Sequence, residues 1–181
     1  YTTTQILQNI IELEDAKVFS KATFQDLKQR ASDYLLLKLE ESYMQLKSRN
    51  LLGKDGGGSH IDELYILAKE GKINELKSVP SVKYYLDGVS KNWLASSIVH
   101  KVKIAYIANS IGDINTANLI KAYFDENKVT SKEMGTYWEE GAWKTWRRLG
   151  IAEHAALINY YHSLGASSTE IDQMKIWLLK N

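Results

Sequence analysis

The sequence predicts an all-α protein of antiparallel helical hairpins, with one short β-hairpin-like excursion near residues 134–146. Two observations carry the helical part. From Trp93 to Phe124, Leu94, Ile98, Val102 and Ala105 recur at helical spacing, and Ala95, Val99 and Tyr106 widen the stripe beyond what a surface helix needs. That helix is expected to be buried on more than one side. Gly112 then suits a left-handed helix end and Asp113 the cap of a following helix carrying Ala117, Ile120, Tyr123 and Phe124. The second observation is repetition: apolar helix, glycine, apolar helix occurs at Gly71, Gly112 and Gly165, at intervals of roughly 40 to 50 residues typical of two-helix repeats. Stacked hairpins of this kind build either an open solenoid or a closed ring.

The remaining elements follow in order. A first helix is centred on Ile6, Leu7, Ile10, Ile11 and Leu13. The longest spans Phe24 to Leu46, with Leu27, Ala31, Tyr34, Leu35, Tyr43 and Leu46 as its apolar positions and Thr23 with Asp26 as a capping box. It ends at 50–59, where Gly53, Gly56, Gly57, Gly58 and Ser59 predict a flexible loop; no preceding strand or following Gly-Lys-Ser/Thr makes it a phosphate cradle. Ser59 is the expected cap of a helix through Leu64, Tyr65 and Ala68, ending near Gly71. A short piece with Ile73, Leu76 and Val79 follows, and Pro80, the only proline, opens the next helix with Val82, Tyr85 and Leu86. Ser167 and Glu170 form a capping box before Ile171, Met174, Trp177 and Leu178. Between Asn127 and Gly150 the helical period fails. Met134 to Trp138 and Ala142 to Trp146 read as two extended pieces around Glu139-Glu140-Gly141.

Composition narrows the functional classes. The 181 residues, 44% of them apolar, fit one ordinary domain with a real core. Twenty-three basic and 22 acidic residues leave a net charge of +1, so neither nucleic acid nor a membrane surface has electrostatic support as a partner. No segment reads as a membrane span. The lack of cysteine excludes disulfides, thiolate metal sites and thiol nucleophiles. His60, His100, His154 and His162 are scattered and read as solvated or core side chains, and no cofactor or metal site is expected. Lys101 and Lys103 on the central helix read as ordinary surface charge, unless they line the mouth of a ring. Three of the five tryptophans lie in the extended excursion, which makes Trp138, Trp143 and Trp146, with Arg147 and Arg148, the candidate contact surface for a peptide or glycan. Glu133, Glu139, Glu140 and Glu153 lie near these rings. Paired carboxylates beside aromatic platforms serve glycoside hydrolysis, but solvated glutamates around packing tryptophans are the commoner arrangement.

Three motifs resemble the bacterial alpha-2-macroglobulin-like proteins, in the α/α toroid called the thioester domain. Met134-Gly135-Thr136-Tyr137-Trp138 matches that family's Met-Gly-x-Tyr-Trp. Ile151-Ala152-Glu153-His154-Ala155-Ala156-Leu157-Ile158, after Trp146, resembles its Ile-Glu-Thr-Gln-Ala-Leu-Leu-Ile helix start. Met174-Lys175-Ile176-Trp177-Leu178-Leu179-Lys180-Asn181 is the third and most specific. The strong part of the resemblance covers the last third of the chain. It implies a single helical domain over 1–181 that is an arc of a larger toroid, within a protease-trapping protein of the periplasm or cell envelope. Partners would be proteases, through the full-length parent, and neighbouring domains of the same chain. Gly150 replaces the family's proline, and the glutamate is displaced to Glu153. The family's thioester joins the cysteine and glutamine of a Cys-x-Glu-Gln motif, and there is no cysteine here. The expectation is therefore a non-catalytic segment and not an enzyme. A helical-repeat binding module and a toroidal glycosidase are the alternatives.

Overall fold

A computed structural model describes residues 2–20, 22–54, 59–142 and 145–181, apart from the side chains of residues 2 and 140–148. The chain is mostly helical. In order it forms α1 (Thr2–Asp15), α2 (Gln25–Ser48), α3 (Ile61–Lys69), α4 (Ile73–Leu76), α5 (Pro80–Asn92), α6 (Ile98–Ile111) and α7 (Ile114–Glu126). Strands β1 (Lys128–Ser131), β2 (Gly135–Ala142) and β3 (Thr145–Arg148) follow, then α8 (Ile151–Ser163) and α9 (Ser168–Lys180).

Helix α6 is the centre. It packs against α3, α4, α5, α7 and α8, and Ile98, Ile104, Ala105, Ile107 and Ala108 are buried around its circumference. The expected start at Leu94 is wrong. Trp93–Ala95 is a separate 3-10 turn, Leu94 is exposed, and α6 begins only after Ser97, whose hydroxyl accepts the His100 N–H. At the other end Gly112 adopts φ +83, the Gly112 N–H bonds Asn109 O and the Asp113 N–H bonds Ala108 O. This pair of bonds closes the orphan carbonyls of the last turn. Asp113 then caps α7 by accepting the Thr116 N–H. The same two-bond ending recurs at Gly71 and Gly165, and also at Lys17 and Asn50 without glycine. One core runs from Leu39 of α2 through α3, α5, α6 and α7 to Met174 of α9; a smaller cluster of Leu7, Ile11, Leu35 and Ile66 fastens α1 to α2 and α3.

Several local expectations are corrected. Thr23 does not cap α2: Phe24 occupies that position without a side-chain cap, and the Thr23 hydroxyl meets that of Ser20. Ser59 does not cap α3 either, because His60 stands at the cap in a left-handed conformation. Leu27 and Tyr34 face solvent, and the buried positions of α2 are Lys28, Ser32, Leu35 and Leu39. Of the predicted loop 50–59, residues 50–54 form a hydrogen-bonded turn in which the Gly53 N–H donates to the Tyr84 hydroxyl; residues 55–58 lie outside the described ones.

Buried charge is the other departure. Lys101 and Lys103 are 4% and 8% exposed, not surface side chains. The Lys101 ammonium donates to Ser96 O and lies over the Tyr123 ring. Lys103 donates to Asp62 and Gln8, pinning α1 and α3 to α6.

Candidate functional site

The three strands form one antiparallel sheet in the order β1-β2-β3. Glu139, Glu140 and Gly141 do not form the predicted turn. They continue β2, facing Arg148, Arg147 and Trp146 of β3 in register. Strand β1 has little sequence signature, since Lys-Val-Thr-Ser contains a single apolar residue.

The proposed contact residues divide. Trp138 is 2% exposed, and its indole N–H donates to Phe124 O at the end of α7, 2.8 Å away. Its ring packs 5.5 Å from Tyr161 and 5.6 Å from His154. A tryptophan so enclosed presents nothing to a partner, and we correct its assignment: Trp138 anchors the sheet to the helices. Trp143 lies outside the described residues. Trp146, Arg147 and Arg148 are placed by their backbone in β3.

Around Trp138 the last third of the chain closes into one packed unit. His154 of α8 stacks on Trp177 of α9 at 4.4 Å, and its Nε2 lies 2.9 Å from Met174 O. Only a protonated Nε2 can donate to a carbonyl, so Nδ1 is left without a proton, and no partner for it stands among the described residues. Burial holds the imidazole below its ordinary value of 6.5, although the Met174 bond works in the opposite sense. His154 is therefore neutral in the fold, while the unfolded chain protonates it near pH 6.5. Its contribution is present in full above that pH and is lost as pH falls from there toward the depressed folded value. We expect His154→Gln, which keeps a hydrogen-bond donor at this position but cannot be protonated, to flatten the dependence of the urea midpoint on pH between 7 and 5. An unchanged slope would mean that other groups set the acid sensitivity.

A second network ties α7, α8 and the sheet. The Tyr161 hydroxyl donates to Asp125 at 2.7 Å, and Lys121 and Lys128 flank the same carboxylate. Desolvation pushes the Asp125 carboxyl up, but the bonds from Lys121 and Tyr161 outweigh it and hold it below the usual range. Burial and the neighbouring Asp125 charge push Tyr160 up to about 12, and burial with the Asp125 bond pushes Tyr161 up further. These phenols stay protonated at all physiological pH values. The arrangement holds elements together and offers no activated nucleophile or base.

The glutamates considered for glycoside hydrolysis line neither of the two clefts along α2. Glu133 is exposed and its backbone carbonyl accepts from Lys180, Glu139 and Glu140 sit along β2, and Glu153 lies in the first turn of α8 beside Gly150. Two clefts are present elsewhere. One, of about 210 Å³, is lined by Ser42, Arg49, His60 and Tyr85 among others, and another, of about 220 Å³, by Ser32, Asp33, Lys72 and Glu75 among others. Both lie along α2, and neither is lined by a residue of the sheet. Among the described residues no three His, Asp or Glu side chains are grouped as metal ligands.

Gly150 caps α8 with φ −68, ψ 165. That φ is proline's own, and among the described residues the Gly150 N–H has no backbone acceptor. A Cβ there meets only the flexible end of Glu153. We expect Gly150→Pro to stabilise the chain by about 0.5–1 kcal/mol by restricting the unfolded state, read as a raised urea midpoint with unchanged slope. No protein-family profile matches the chain, and no curated protein or solved structure matches it.

Proposed function

We propose that the chain is a non-catalytic packing segment of a bacterial alpha-2-macroglobulin-like, protease-trapping protein. The observation that supports this reading is convergence. The three stretches on which the resemblance rests, 134–138, 151–158 and 174–181, come together around one aromatic cluster, in which His154 stacks on Trp177 and meets Trp138 edge to face. Gly135 is pressed against the backbone of Gln173, and Lys180 donates to Glu133 O. Residues that recur together as a motif set here have a common physical reason to do so. They make a joint between sheet and helices.

In this reading the segment transmits no bond-making step. Its rigid joint carries the sheet as a body against neighbouring domains of the parent, in the periplasm or cell envelope, when a protease cuts the bait region and is enclosed. No helix among the described residues is long and apolar enough to cross a membrane.

The purified 181-residue chain is expected neither to hydrolyse substrates nor to incorporate methylamine. The parent, once nicked by a protease, is expected to shield large substrates from that protease while small chromogenic peptides are still cleaved. A nicked parent that leaves digestion of large substrates unchanged overturns the reading.

A further inference from the structure

We infer that the outward face of α2 is a self-association surface, on which a second copy of this chain docks its own α2 antiparallel about a two-fold axis. The helix carries two apolar stripes. One, with Leu35 and Leu39, enters the core. The other, Leu27, Tyr34, Leu37 and Met44, is 42%, 45%, 50% and 58% exposed, at the middle of the solvent face. These residues, with Arg30 and Glu41, occupy alternating three- and four-residue steps, the spacing of a two-helix seam. Among the described residues nothing covers them.

What identifies the occupant is the symmetry of the stripe. In an antiparallel pair each position faces a position reflected through the helix midpoint. Reflection between residues 35 and 36 pairs Leu27 with the partner's Met44 and Tyr34 with the partner's Leu37. The same reflection pairs Arg30 with the partner's Glu41. Every position of the seam thus meets its complement, apolar to apolar and basic to acidic, and the two-fold axis repeats each contact. An unrelated helix has no reason to match a stripe that matches itself.

Charges beside the seam limit the affinity. Positions flanking the seam on one side pair with an offset of two residues from that reflection, so Asp26 comes beside the partner's Lys47 favourably, whereas Asp33 comes beside the partner's Glu40 and repels it. In the single chain Arg30 pairs with Asp26 and Glu41 with Lys38, both exposed, so exchanging these partners costs little. The helix is already folded against its core, so docking does not bear the cost of ordering it. Together these features predict a dimer of micromolar strength. The inference is independent of the protease-trap reading.

The absence of cysteine permits a direct test. The doubly substituted chain Leu27→Cys with Met44→Cys is expected to form interchain disulfides on mild oxidation. Within one helix those positions are about 26 Å apart, far beyond the ~7 Å that a disulfide tolerates. Leu27→Cys alone places the two thiols at opposite ends of the seam and is expected to stay unlinked. In sedimentation equilibrium, Arg30→Glu and Glu41→Arg are each expected to raise the dimer Kd at least tenfold, and the double variant to restore it. A chain monomeric at all accessible concentrations overturns the inference. Dimers indifferent to both charge reversals, or linked as readily by the single cysteine as by the pair, overturn it as well. Circular dichroism confirms that these surface variants remain folded.

Discussion

Gly135→Ala is expected to destabilise the protein by about 3 kcal/mol, and Gly112→Ala by only about 1 kcal/mol, although both glycines are left-handed. The backbone term is shared. Gly112 sits at φ +83 and Gly135 at φ +70, where a side chain adds about 1–2 kcal/mol of crowding against the following carbonyl. Their surroundings differ completely. A Cβ on Gly112 meets nothing within 4 Å, whereas one on Gly135 falls 2.1 Å from Gln173 O and 3.0 Å from the Ile176 Cβ. The carbonyl belongs to the backbone of α9 and cannot swing aside as the end of a long side chain does. The sheet must lift from α9, and overpacking of this kind costs a further 1–3 kcal/mol or so. Urea denaturation of the two variants side by side measures the difference. Equal losses would show that β2 does not approach α9 as closely as 2.1 Å implies, and would remove the joint on which the proposed function rests.

The same glycine shows what was legible in the sequence. Met134-Gly135-Thr136-Tyr137-Trp138 stood out as a motif, and its company with 151–158 and 174–181 was visible, but its cause was not: Gly135 is needed because of a carbonyl 38 positions later in the chain. Helix ends were legible where the chemistry is local. Gly112, Asp113, Pro80 and Ser167 act on residues within one turn, and each performs the role its type suggests. Thr23 and Ser59 are of equally suitable type and fail, because Phe24 and His60 hold the cap positions instead. Trp138 was ambiguous from the outset. An indole packs inside or binds outside, and only the Phe124 carbonyl waiting at the end of α7 decides between them. On α2 the pattern misled in part: Leu35 is buried and Tyr43 and Leu46 pack on the core, but counting apolar side chains also selects the exposed Leu27 and Tyr34 and overlooks Lys28. A buried lysine can be recognised only once its counter-charge is found, and that charge lies in a different helix.

Lys28→Met is accordingly expected to cost about 3–5 kcal/mol even though it replaces a charge with an apolar side chain in an interior position. The Lys28 ammonium lies 2.8 Å from Glu14 of α1 and 3.7 Å from Glu70 after α3, and the Lys28 and Glu14 side chains are 5% and 4% exposed. Removing the cation leaves a carboxylate in the interior with neither water nor counter-charge. Glu14 is already short of partners, because its second oxygen is buried without one among the described residues. Replacing both residues, Lys28→Met with Glu14→Leu, removes the two desolvation penalties together and is expected to recover most of the loss. The double-mutant cycle in urea should therefore give a coupling of about 2–3 kcal/mol. The exposed Arg30–Asp26 pair, with the same 2.8 Å separation on the opposite face of the same helix, should give almost none. Raising the salt concentration should leave the first coupling nearly intact and abolish what remains of the second, since the interior pair is poorly reached by counterions. Equal couplings at the two pairs would mean that water enters between α1 and α2, and α1 would then be a loosely held arm instead of part of the core.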